Sequence, residues 1–143
     1  SREIHRTYQA FALGETAASG TIDAPIARLN GSLIQRTVDF ASGERSVTHY
    51  RTLAHCSVFS HLELNLETGR THQIRVHMAY IGHPILGDTV YGAKKPVPGL
   101  TGQCLHATGL RFVHPRTGEP VELHCPLPPE FTAMLQKLQN KSQ

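Results

Sequence analysis

The chain opens on a loosely alternating stretch, Ile4 to Leu13, in which Tyr8, Phe11 and Leu13 recur among polar positions; this predicts a strand. Gly14 and Gly20 bracket a polar turn. Leu33 to Phe40 predicts a further strand, closed by Ser42-Gly43, and Val47–Leu53 and Val58–Leu66 predict a strand pair. In the second of these, Leu62, Leu64 and Leu66 alternate with Glu63, Asn65 and Glu67, the pattern of an antiparallel strand with one buried and one wet face. Thr68-Gly69 ends that alternation and the period changes. Ile74, Met78 and Ile81 fall at i, i+4 and i+7, which predicts a helix with a core-facing stripe. Thr71 is placed to cap its start, Gly82 suits the left-handed position after its end, and Pro84 prevents its continuation. His72, Arg75 and Ala79 share a flank of that helix, beside the buried stripe.

Further on, Lys94 to Gly102 is rich in Pro, Gly and Lys and reads as a loop. Cys104–Val113 and Val121–His124 read as strands, with a turn at His114–Gly118 between them. Phe131, Met134, Leu135 and Leu138 have helical spacing and predict a last helix with a core face. No repeat and no second domain boundary interrupts this order, so the expectation is one α+β domain.

Composition narrows the class. A chain of 143 residues can bury one sizeable core, and 39% hydrophobic against 17% charged residues suits a globular chain better than a disordered one. The formal charge of +3, with ten histidines besides, is a mild basic bias compatible with RNA. No apolar run reaches membrane-spanning length, and Ser1–His5 has no apolar signal core. Cys56, Cys104 and Cys125 are odd in number and widely spaced, which fits reduced, buried thiols in a cytoplasmic protein. His72 and His77 stand five apart, not the four that stack two zinc ligands on a helix face, so no metal is expected.

The polar density of one segment stands out. Arg70, His72, Gln73, Arg75, His77 and His83 all fall between two glycine-rich turns. The run from Thr68-Gly69-Arg70-Thr71-His72-Gln73-Ile74-Arg75-Val76-His77 through Gly82-His83-Pro84-Ile85, Gly87-Asp88 and Tyr91-Gly92 closely resembles, without a gap, the signature of the ribosomal large-subunit (RluA-type) RNA pseudouridine synthase family. Thr21-Ile22-Asp23-Ala24-Pro25-Ile26, with Arg28, and Arg6-Thr7-Tyr8-Gln9-Ala10 resemble two further family segments; Arg6 stands where the family has lysine.

The resemblance implies a mixed, mainly antiparallel sheet flanked by helices, and an enzyme without a cofactor that detaches uracil from ribose, rotates it and rejoins it through carbon 5. By resemblance, Arg75 is the arginine that keeps the catalytic aspartate ionised and oriented. Tyr8 is the tyrosine that packs on the flipped base, and Leu110 the apolar residue that closes the pocket. Arg70, His72, Gln73, His77, Arg28 and Arg111, with Lys94 and Lys95, are the candidates to face RNA. Asp88, between glycines, is expected to build the turn after Pro84 by bonding its own backbone.

The family carries its catalytic aspartate in an upstream His-Arg-Leu-Asp motif, and no such motif occurs here. Asp23, Asp39 and Asp88 are the only aspartates, and none follows an Arg-Leu pair. The expectation is therefore the C-terminal part of a pseudouridine synthase catalytic domain, acting on rRNA or tRNA in the whole protein and inactive alone. The alternative is a non-catalytic RNA-binding module of the same fold. Two structural consequences are expected: Arg75 lacks its carboxylate partner, and unpaired sheet edges invite self-association.

Overall fold

A computed structural model describes residues 5–32, 34–92, 105–113 and 119–124, with positions 117, 129, 133, 134 and 136. Its strands are β1 (His5–Leu13), β2 (Ser19–Asp23), β3 (Ile26–Arg28), β4 (Arg36–Val38), β5 (Val47–His55), β6 (Phe59–Leu66), β7 (Leu105–Val113) and β8 (Pro120–His124). The helix α1 spans Gln73–Tyr80, between β6 and β7. Six strands form an antiparallel sheet in the order β2-β5-β6-β1-β7-β8, while β3 and β4 pair with each other as a separate two-stranded arm.

Side chains of a strand alternate between faces, so each inner strand feeds two cores. Ala10 and Ala12 of β1 and Leu62 and Leu64 of β6 join Ile22, Ala24 and Ile85 beneath Ile74 and Met78 of α1. Phe11 and Phe59 point the other way and pack with Cys56, Leu86 and Met134. The one-wet-face reading of β6 is thereby corrected in part. Phe59 and His61 are buried on the second face, and His61 stacks on Phe11 with ring centroids 4.8 Å apart. Only Glu63 and Asn65 reach solvent on that side.

The alternation of Ile4–Leu13 and of the Val47–Leu66 pair appears as β1, β5 and β6. The strand expected over Leu33–Phe40 shrinks to Arg36–Val38, with Ile34 and Phe40 exposed. β2 and β3 lie where the sequence suggested a turn and a family segment; β2 carries a single buried apolar residue, Ile22, and β3 is three residues long.

The helix start also differs from expectation. His72, not Thr71, precedes the first helical residue, in a left-handed conformation (φ 58°) and without a side-chain capping bond. Gln73 does the tying instead. Its Oε1 accepts the Arg70 N–H at 3.0 Å and the Thr68 hydroxyl at 2.7 Å. Its Nε2 donates to the Val47 carbonyl and to Thr48 Oγ1, both at 3.0 Å. The far end is as expected: Gly82 is left-handed (φ 88°), and the His83 N–H reaches back to the Met78 carbonyl at 2.8 Å. The Lys94–Gly102 loop, most of the last helix, Cys104 and Cys125 lie outside the described residues; Met134 is buried.

Candidate active site

Arg75 projects from the flank of α1 and meets Asp88 side-on. Its Nε–H donates to Asp88 Oδ2 at 2.8 Å and Nη2 donates to Oδ1 at 3.1 Å. The Asp88 side chain is fully buried and that of Arg75 is 12% exposed. Asp88 Oδ1 also accepts the N–H groups of Val90 and Tyr91, each at 3.1 Å. Asp88 thus builds its turn as expected, with Gly87 supplying a left-handed φ of 81° just before it. It also supplies what was expected to be missing: Arg75 has a carboxylate partner within this chain. Burial pushes the Asp88 carboxyl up, but the Arg75 guanidinium and the backbone N–H groups outweigh it and hold the group below its ordinary value. The hydrogen bond to Asp88 raises Arg75 further, against the opposing pull of burial.

Tyr91 gathers the surrounding elements. The Arg75 guanidinium lies 5.0 Å from the centroid of its ring. Its hydroxyl accepts the backbone N–H of Arg36 at 2.9 Å and bonds His72 Nδ1 at 2.7 Å. One side chain thus joins the turn before α1, the guanidinium on α1, the Asp88 loop and the β3–β4 arm. Burial, then the positive charges of Arg75 and Arg36, lower the affinity of His72 for a proton, so it is neutral at pH 7.

Two expected RNA contacts are corrected. Gln73 is 2% exposed and His77 fully buried, so neither faces solvent. His77 Nε2–H donates to the Ala24 carbonyl at 2.8 Å, and Nδ1 bonds the Thr48 hydroxyl at 2.8 Å. Together with Gln73 this network pins α1 to β5, because buried polar groups must find partners. The helix carries these polar groups inward because it is covered on more than one side, with Val76 buried as well as Ile74 and Met78.

The pH dependence follows from these histidines. Burial is the largest influence on His61, His72 and His77, and it places all three below the ordinary value of 6.5. The unfolded chain therefore binds more protons in the window beneath 6.5. Stability is full above that value and falls as the pH is lowered through it, toward the folded-state values. Thermal melts at a series of pH values should show the melting temperature declining below about pH 6.5. A flat profile there would contradict the buried, neutral assignment.

The remaining candidates are spread over the sheet and the arm. Tyr8 is half-buried against the α1-side core, opposite Leu64 on β6 and Ala107 on β7. It makes no hydrogen bond to Arg75 among the described residues. Leu110 and Arg111 take register positions opposite Arg6 and His5, past a register shift at Thr7/Tyr8. Arg28 and Arg70 line a cleft of about 410 Å³ with Arg36, Glu44, Gly69 and Thr71. A second hollow of about 310 Å³ lies between Arg36, Val38, Val76, Ala79 and Tyr91. Lys94 and Lys95 lie outside the described residues. Sequence reasoning left Tyr91 and Arg36 without a role. Tyr91 sits in the signature's tail, which marked it; Arg36 lies in a strand too short to show a pattern.

A family model described as RNA pseudouridylate synthase matches residues 1–80. The chain belongs to that family. Ribosomal large subunit pseudouridine synthase D of Vibrio parahaemolyticus is 42% identical over 156 residues, covering 99% of this chain and 47% of that protein. Its Escherichia coli K12 counterpart is 44% identical over 147 residues, covering 94% of this chain and 45% of that protein. The chain thus spans about half the length of these curated relatives. Human RNA Pseudouridylate Synthase Domain Containing 1 superposes with a TM-score of 0.73 at 26% identity, over 95% of this chain and 66% of that one. Human RNA Pseudouridylate Synthase Domain Containing 4 shares the fold, with a TM-score of 0.75 at 24% identity over 95% of this chain and 62% of that one. The RluA-type resemblance and the pseudouridine synthase fold are both borne out.

The geometry limits which carboxylate of this chain can do chemistry. Asp88 is sealed, with both oxygens engaged by Arg75 and by two backbone N–H groups. Asp39 is spent on its own turn, accepting from the Ala41 and Ser42 N–H groups and the Ser42 hydroxyl. Arg75 meets Asp88 through its Nε–Nη2 edge, and Nη1 has no partner among the described residues.

Proposed function

We propose that the protein carrying this chain isomerises uridine to pseudouridine in RNA, in rRNA or tRNA, and that these 143 residues do not turn over alone. The observation that carries the reading is Arg75, set in the family signature and braced by Asp88 through its Nε–Nη2 edge. In this reading the catalytic aspartate comes from sequence outside these residues and docks on Arg75, which keeps it ionised. Tyr8, on the α1 side of the sheet, packs on the flipped base, and Leu110 closes the apolar side of the pocket. Arg70, Arg28, His72 and Arg111 meet the RNA, whereas the buried Gln73 and His77 hold the helix. The names of the relatives support rRNA as the substrate class.

The test is a map of pseudouridine in total rRNA and tRNA from cells with and without the gene. The reading expects at least one site to vanish on deletion and return with the full-length gene. An unchanged map would favour the alternative, a non-catalytic RNA-binding module of the same fold.

A further inference from the structure

We propose that Arg28 and Arg36, facing each other across the β3–β4 arm, form with Arg70 a binding site for a backbone phosphate of the RNA strand beside the modified nucleotide. The proposal rests on the reading of the protein as RNA-acting, and it adds a residue, Arg36, that the signature does not contain.

The register of the arm pairs Arg28 directly with Arg36. Like charges opposite one another on two strands are destabilising, and this arm is only three residue pairs long. No acidic side chain pairs with either arginine among the described residues. Arg36 Nη1 is instead steadied by the Ile34 carbonyl at 2.9 Å, which keeps its charge. The cleft that both residues line, about 410 Å³, is lined by Arg70 as well. Its one carboxylate, Glu44, is already taken by Arg70 Nη1 at 2.8 Å. Three guanidiniums and one carboxylate leave an uncompensated positive hollow of the size and chemistry that a phosphodiester fills.

The cleft is tied to the proposed active site. Arg36 also lines the second hollow, and its backbone N–H is held by the Tyr91 hydroxyl beneath the Arg75 guanidinium. In this proposal, a strand whose nucleotide is presented to Arg75 runs along the arm. Phosphate contacts of this kind position an RNA without reading its sequence.

The experiment measures binding of an RNA oligonucleotide by the full-length protein and its variants over a series of salt concentrations. Arg28→Gln and Arg36→Gln should each reduce the slope of log affinity against log salt by about one. Arg36→Lys, which keeps the charge, should restore the slope. The Gln variants should melt at or above the wild-type temperature, because they relieve the cross-strand repulsion. Unchanged slopes in both Gln variants would overturn the proposal, as would a lowered melting temperature with an unchanged slope, the mark of a structural role. The two readings fail separately. Slopes that fall in a protein that makes no pseudouridine refute the enzyme reading alone. Pseudouridine formed with unchanged slopes refutes the phosphate site alone.

Discussion

Replacing Asp88 with Ala should lower the stability of the protein by about 3–5 kcal/mol, the cost of stranding one member of a buried ion pair. The magnitude follows from the environment. The Asp88 side chain is fully buried, and it accepts from the Nε–Nη2 edge of the Arg75 guanidinium and from two backbone N–H groups. Alanine would leave the mostly buried Arg75 charge uncompensated and the Val90 and Tyr91 N–H groups without an acceptor. At about 2–4 °C per kcal/mol for a chain of this size, the loss is easily read in a thermal melt. The pH dependence has a fixed sign. Asp88 is held below its ordinary value when folded, so its contribution is present above the unfolded value of about 3.9 and is lost as the pH falls through the folded value. The variant should therefore be less sensitive to acid in that window than the wild type. A melting temperature unchanged by the substitution would mean that the pair is solvated.

The second large effect is on turnover. Arg75→Lys in the full-length protein should reduce pseudouridine formation by about 10²–10³-fold, the scale of removing one preorganised electrostatic contact at a reacting centre. Lysine keeps the charge but cannot hold Asp88 on one edge while offering a second edge to another carboxylate. RNA affinity should change far less, because the role proposed for Arg75 is to orient the nucleophile. Stability and catalysis can be separated with a second variant. Arg75→Met with Asp88→Asn removes both charges while leaving an amide oxygen for the Val90 and Tyr91 N–H groups. It should be more stable than Asp88→Ala and yet have lost activity. A double variant that retains turnover would remove Arg75 from the mechanism.

Much of the frame was legible in the sequence because period and punctuation agreed. β1, β5, β6 and α1 each carry an apolar repeat, and Gly82 and Pro84 mark the end of the helix. What escaped did so for physical reasons. β2, β3 and β4 are too short for alternation to register, and they owe their place to β5, to the bridge between Ile26 and Glu44, and to Tyr91. Gln73 and His77 looked like surface chemistry because polarity on a helix usually marks solvent. Here both faces of the helix start are covered, and the polar groups bond inward to Thr48, Val47 and Ala24. Asp88 shows the limit of local reading. Its turn bonds lie within three residues and could be anticipated, but its partner Arg75 is thirteen positions away and is brought to it only by the helix packing on the sheet.

The central claim is that Arg75 orients a carboxylate that this chain does not itself supply. The most direct test follows tritium release from carbon 5 of labelled uridine in RNA, comparing the 143-residue chain with the full-length protein. The account predicts release by the full-length protein, little or none by the chain alone, and loss of release with Arg75→Lys. Release by the chain alone would contradict it, because one of Asp23, Asp39 or Asp88 would then have to be the nucleophile.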